Sequence, residues 1–161
     1  MQNMDLICVG KLNAPYFAAG VAEYQKRLAA FCRFRIIELP EAPLPDKNAS
    51  PAQIEKVLEK EGKAILAAVR KGACLVALCV EGKQISSEEL AAQIERQALS
   101  GAGDMAFVIG SSHGLAPAVK AAANARISLG RITLPHQLAR LVLAEQLYRA
   151  CTINAGMKYH K

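Results

Sequence analysis

The segment LGRITLPHQLARLVLAEQLYRACTINAGMKYHK, Leu129 to Lys161, decides how this chain is read. A short apolar strand, Ile127-Ser128-Leu129, halts at Gly130. A turn through Leu134-Pro135-His136 then opens a helix, expected from about Pro135 to Thr152, that is apolar almost all round. An exposed helix would separate its charges from its apolar residues, so this one calls for burial on most sides. Lys158, Tyr159, His160 and Lys161 follow it. Charge concentrates here as well. From Arg126 onward there are six Lys/Arg and one acid, Glu145, in a chain whose net charge is +6. A basic, His- and Tyr-bearing segment attached to a buried helix predicts a site for a polyanion.

Composition sets the frame around that segment. A chain of 161 residues, 52% hydrophobic, fits one domain over residues 1–161 with a sizeable core. Cys8, Cys32, Cys74, Cys79 and Cys151 are odd in number and lack CxxC spacing, which predicts reduced, buried thiols rather than disulfides or structural zinc. The opening MQNMDLICVG is too short and polar for a signal peptide, and no apolar run reaches membrane-spanning length. The expectation is a cytoplasmic protein with no membrane or metal partner.

Upstream, apolar strands alternate with helical patterns. Asp5–Val9 reads as a strand ended by Gly10, and Tyr16 to about Ala30 as a helix. Arg33–Leu39 alternates like a strand with one wetter face, and residues 41–50 form a Pro-bearing loop through Pro43, Pro45, Asp46 and Asn48. Ser50-Pro51-Ala52-Gln53 caps a helix that Gly72 ends. Leu75–Val80 is a continuous apolar run, as in a parallel strand buried on both faces, with Gly82 turning the chain. Ser86 or Ser87 starts a helix to about Leu99, Met105–Ile109 is another buried strand, and a short helix covers about Pro117–Ala125. The fold class is therefore α/β, a mostly parallel sheet with helices on both faces. Ligands in such sheets sit beyond the carboxyl ends of the strands. Three ends qualify: Leu78–Gly82, Gly110–Gly114 and Leu129–Leu134.

No GxGxxG or GxxxxGK[ST] pattern is present, which argues against a dinucleotide site and a P-loop. Gly110 and Gly130 each follow an apolar strand, where a missing Cβ admits a ligand close to the backbone. His113 lies in a polar loop. His136 opens the last helix, where free backbone N–H groups favour an anion. Glu145 and Arg149 are spaced for an ion pair, and Arg149 contacting substrate is the sharper reading. A single small domain rarely covers so apolar a helix, so part of it is expected to form a homodimer interface.

FVIGSSHGL (Phe107–Leu115), LGRITLPHQLARLVLAEQLYRA (Leu129–Ala150) and the terminal YHK resemble the bacterial ribosomal large-subunit pseudouridine N3-methyltransferase H family of the SPOUT superfamily. The opening LICVGKL, the ELP at Glu38–Pro40 and the DKNAS segment fit as well, so the resemblance covers essentially the whole chain. It implies a C-terminal trefoil knot, an obligate homodimer, S-adenosylmethionine as methyl donor, and 23S rRNA, on the assembled ribosome, as substrate. Donor contacts carry over to Leu78, Gly110, Leu129, Gly130, Arg131, Ile132, Thr133 and Leu134. Tyr159 and His160 would reach over the partner subunit's active site, with Arg149 and His136 nearby, a His or Tyr relaying the imide proton and a cation steadying the anion. Arg131, Arg140, Lys158 and Lys161 would contact phosphates. One departure stands out: Ser111-Ser112-His113 replaces the glycine-containing sequence common after Gly110. Two alternatives remain open on the residues: a catalytically silent RNA-binding protein on the same fold, and a methyltransferase acting on another RNA.

Overall fold

The computed structural model describes residues 1–44 and 47–161; Pro45 and Asp46 of the expected loop and of the DKNAS segment lie outside the described residues. In chain order the elements are β1 (Asn3–Val9), α1 (Pro15–Leu28), β2 (Arg33–Leu39), α2 (Pro51–Ala68), β3 (Cys74–Gln84), α3 (Ser87–Leu99), β4 (Met105–Ile109), α4 (Pro117–Ala122), β5 (Ala125–Ser128) and α5 (His136–Asn154). The strands form one sheet in the order β2-β1-β4-β3-β5, and every named pair is parallel.

The period-two geometry of a strand, with helices on both sides, explains why β4 and the cores of β1 and β3 are apolar on both faces. Met4, Leu6 and Cys8 of β1 share one face with Met105, Phe107 and Ile109 of β4, against Leu28 of α1, Leu90 and Ile94 of α3, and Leu143 and Leu147 of α5. Ile7 and Val9 share the other with Ala106 and Val108, against Ile65 of α2 and Val119 of α4. Helices thus cover both faces, and every central side chain has a buried side to occupy.

Two helix starts are written in the sequence. Ser50 and Gln53 cap α2 reciprocally, as Ser86 and Glu89 cap α3. Helix α5 starts differently: Pro135 precedes it and no side chain caps it. Its first backbone N–H groups are left without intrahelical partners beside the strand ends.

Several boundaries differ from expectation. Helix α1 stops at Leu28 and α5 continues to Asn154. Strand β5 ends at Ser128, so Leu129 already belongs to the loop. The larger correction concerns Gly82. It does not turn the chain; β3 runs through it to Gln84. The pairing with β5 shifts register between Leu78 and Lys83, both of which lie opposite Ile127. A Cβ at Gly82 would lie 2.7 Å from the Ile127 carbonyl oxygen, so only glycine lets the bulged strand return to its neighbour.

Candidate functional site

The carboxyl ends of β3, β4 and β5 open into a cleft of about 210 Å³. Leu78, Gly110, Leu129, Gly130, Ile132 and Leu134 all line it, and so does His136. Arg131 and Thr133, expected among the donor contacts, do not line it; both are exposed. Cys79, Val80 and Glu81, within the expected Leu78–Gly82 strand end, also line the wall.

Two loops give the cleft its shape. After β4, Ser111 and Gly114 form a bridge, and a Cβ on Gly110 would meet the Gly114 carbonyl oxygen at 2.2 Å. The backbone can fold this tightly only because Gly110 has no side chain. The letters of residues 110–114 also satisfy G-x-S-x-G, the spacing of a serine-nucleophile elbow. The structure does not support that chemistry: Ser112 is exposed, and among the described residues no histidine is hydrogen-bonded to it. After β5, the Ser128 hydroxyl donates to the Gly130 carbonyl at 2.9 Å and accepts from its N–H at 3.2 Å. That local ring holds Gly130 at φ +128°.

The cleft combines apolar walls with a charged edge, as a small ligand with an apolar and a charged part would need. Ile109, Leu115, Leu129 and Leu134 give aliphatic walls for a flat purine, edged by strand-end backbone. Opposite charges sit in the same lining: Lys120 and Glu81 form an ion pair at 2.5 Å. The Lys120 contact holds the Glu81 carboxyl below its usual range. The Cys79 thiol is raised, by burial first and then by Glu81, so it is a poor nucleophile there.

The other expected catalytic residues assemble elsewhere. Arg149 on α5 donates to Glu145 Oε1 through Nε at 3.0 Å and Nη2 at 2.5 Å. The Tyr159 hydroxyl donates to the same oxygen at 3.0 Å. Arg149 also lies over the Tyr159 ring, 4.7 Å from its centroid. His160 stands between Arg149 (Nη1 to Nδ1, 3.3 Å) and Glu88 of α3 (Nε2 to Oε1, 2.6 Å). A guanidinium can only donate, so Nδ1 accepts and the ring proton sits on Nε2, facing Glu88. Gln146 steadies Glu145 at 2.8 Å and is itself held by Ser87 at 2.6 Å. The expected Glu145–Arg149 ion pair is present, and it forms the base of a polar cluster.

His136 is not part of that cluster. Thirteen residues of helix separate it from Arg149, about 20 Å at 1.5 Å per residue. Within one chain, His136 of the cleft opens α5 and Arg149 of the cluster lies in its last third.

Arg140 requires a correction. Expected to contact phosphate, it is 1% exposed. Its guanidinium donates to Glu38 at 2.7 Å and to the Gly10 carbonyl at 3.0 Å. A buried guanidinium with these partners cannot also reach a backbone of RNA. Arg131, Lys158 and Lys161 are exposed. Among the described residues no cluster of His, Cys, Asp or Glu is arranged to hold a metal, and no helix is long and apolar enough to cross a membrane.

An all-parallel α/β domain with a glycine-shaped cleft at its strand ends, followed by a helix and a cationic tail, belongs to the class of proteins that bind a small ligand at the sheet's carboxyl edge. Comparison makes this specific. The family model described as "Predicted SPOUT methyltransferase" matches residues 2–160, and the chain belongs to that family. It is 52% identical over 159 residues to "Ribosomal RNA large subunit methyltransferase H" of Ligilactobacillus salivarius, covering 99% of each chain. It is 49% identical over 158 residues to the protein of that name from Streptococcus uberis, covering 98% of this chain and 99% of the relative. Among solved structures, a probable methyltransferase from Bordetella pertussis superposes with a TM-score of 0.54 at 17% identity, over 92% of this chain and 95% of that one, which speaks for the fold.

Proposed function

We propose that this chain methylates N3 of a pseudouridine in large-subunit ribosomal RNA, with S-adenosylmethionine as donor and the assembled ribosome as substrate. The observation that carries the reading is the convergence of Leu78, Gly110, Gly130, Ile132 and Leu134, from three separate strand ends, on one cleft. The near-full-length identity to proteins named for that RNA supports it.

Leu78, Gly110 and the Leu129–Leu134 loop would hold the donor, with Glu81 and Lys120 taking its charged end. When bound, S-adenosylmethionine supplies a methyl group activated by the sulfonium. The protein's part is to orient the base, exclude water and handle one proton, because N3–H must be lost before or during attack. Arg149 places a permanent cation beside an acceptor, which favours the imide anion. Tyr159 is disqualified as the base: burial, then Tyr24 and Glu145, push its hydroxyl well above the usual tyrosine range. It serves as a donor that fixes Glu145.

A second copy belongs to the proposal, because within one chain His136 of the cleft and Arg149 of the tail cluster are about 20 Å apart along α5. In a homodimer the tail of one subunit would complete the cleft of the other. The half-buried Leu138, Leu141 and Val142 of α5, with Ile132 at 82% exposed, give that interface apolar material. The trefoil knot implied by the family resemblance is part of the same reading, with Leu129–Leu134 as its crossing segment.

The test is thermal. S-adenosylhomocysteine at about 100 times its Kd should stabilise the native state by about 2.7 kcal/mol and raise Tm by roughly 5–10 °C. No shift with either the donor or its demethylated product ends the donor reading. Mass spectrometry of ribosomal RNA from a deletion strain, with and without the gene restored, then separates this substrate from another RNA.

A further inference from the structure

Glu61 lies on α2 outside the cleft, is 5% exposed, and has no cation paired with it among the described residues. Its two carboxylate oxygens are used differently. Oε1 accepts from the Ser111 hydroxyl at 3.0 Å, and Oε2 accepts from the Ala42 backbone N–H at 3.1 Å. Ser111 is 7% exposed and lines the cleft beside Gly110. It is also half of the Ser111–Gly114 bridge that shapes the wall. One buried carboxylate therefore ties the loop after β4 to the loop after β2.

Burying a carboxylate without a countercharge is costly unless its oxygens are satisfied. Helix packing alone would be better served by an apolar residue at this place, since Val57 and Ile65, four residues on either side, are both buried. What the carboxylate adds is a fixed position for Ser111.

We propose that Glu61, acting through Ser111, is a positioning residue that sets the donor cleft in its binding-competent shape. The inference rests on the methyl-donor reading of that cleft. A loop that spends only part of its time in the competent form binds with an affinity reduced by that fraction. Releasing Ser111 from Glu61 lowers the fraction; a saturating donor restores it. The signature is a raised Kd and KM for the donor with kcat nearly unchanged.

The experiment is calorimetric titration of the full-length chain with S-adenosylhomocysteine, alongside steady-state kinetics and circular dichroism. Ser111→Ala is expected to weaken binding about tenfold and to lower kcat at saturating donor by less than about twofold. Glu61→Leu is expected to weaken binding at least as much. Glu61→Gln is expected to remain within about threefold of the unaltered protein, because its amide can accept from Ala42 and donate to the Ser111 hydroxyl, which serves either role. If Ser111→Ala and Glu61→Leu both bind within about twofold of the unaltered chain, the positioning role is overturned, even where they lower Tm. If the unaltered chain itself does not bind, the donor reading falls and this inference falls with it.

Discussion

Arg140 donates to Glu38 at 2.7 Å from a side chain 2% exposed, whereas Glu38 is 40% exposed. The pair is lopsided, so its two halves are not equally replaceable. Removing Glu38 leaves a guanidinium buried with only the Gly10 carbonyl, while removing Arg140 leaves a carboxylate that water can reach. Glu38→Ala is therefore expected to cost about 3–5 kcal/mol, and Arg140→Met clearly less. Urea unfolding of both variants checks the order; equal losses would count against it.

Neither variant should change how RNA binding depends on salt, since Arg140 is not at the surface. Arg131→Ala, Lys158→Ala and Lys161→Ala should each reduce the slope of log K against log salt by about 0.7–0.9 if they meet phosphates. Filter binding to ribosomal subunits over a salt series measures this. A slope unmoved by all three replacements would place the RNA on another face.

Much of this arrangement was legible in the sequence, and the two buried charges show where legibility stopped. Strand-end glycines and the Leu129–Leu134 block locate the cleft because a short turn depends on local residues. Arg140 and Glu61 were harder because their partners are distant in sequence: Glu38 and Gly10 for one, Ser111 and Ala42 for the other. A signal did exist. Arg140 stands three and four residues before Leu143 and Ala144, and Glu61 midway between Val57 and Ile65, so the helical period puts both charges on buried stripes. Composition outweighed period in the reading of Arg140. The bulge at Gly82 was hidden for another reason: a glycine after an apolar run marks a turn as readily as a close approach of two strands.

Asp5 on β1 gives a pH prediction. Its side chain is 1% exposed and accepts from Arg35 at 3.0 and 2.8 Å and from Arg70 at 2.9 Å. Burial opposes ionisation, but the two guanidiniums outweigh it and hold the carboxyl below its usual range. The folded pKa is thus depressed. Its stabilisation is complete above the unfolded value, about 3.9, and is lost as pH falls through the lower folded value. Asp5→Asn should cost about 1–3 kcal/mol at pH 7 and lessen the fall in stability below about pH 4. Denaturation midpoints from pH 7 to pH 2.5 test it; an unchanged acid limb in the variant would remove Asp5 from the account.

Gly110 tests the cleft directly. A Cβ there would overlap the Gly114 carbonyl, so Gly110→Ala must push the loop out of place. Core overpacking of this kind costs about 1–3 kcal/mol. The larger effect should fall on S-adenosylhomocysteine, with affinity reduced at least about tenfold, because the displaced backbone is the cleft wall. A variant that folds less stably but binds normally would show that the ligand does not use this loop.

The tail cluster makes a claim about coupling. Arg149 and Tyr159 meet on one oxygen of Glu145, and Arg149 also holds the Tyr159 ring and His160. Deleting residues 159–161 should leave the fold and donor binding intact, because these residues add little core, yet reduce turnover by at least about a hundredfold. Arg149→Ala should likewise lower turnover far more than donor affinity, since the cation lies away from its own chain's cleft. Tyr159→Phe keeps the ring under Arg149 and loses only the hydroxyl, so it should be milder. Combined, the two replacements should cost less than the sum of their separate effects on the activation free energy, because Arg149→Ala already frees the tail that Tyr159 helps to anchor. Strict additivity would mean that the two side chains act independently, and their coupling through Glu145 would then be overturned.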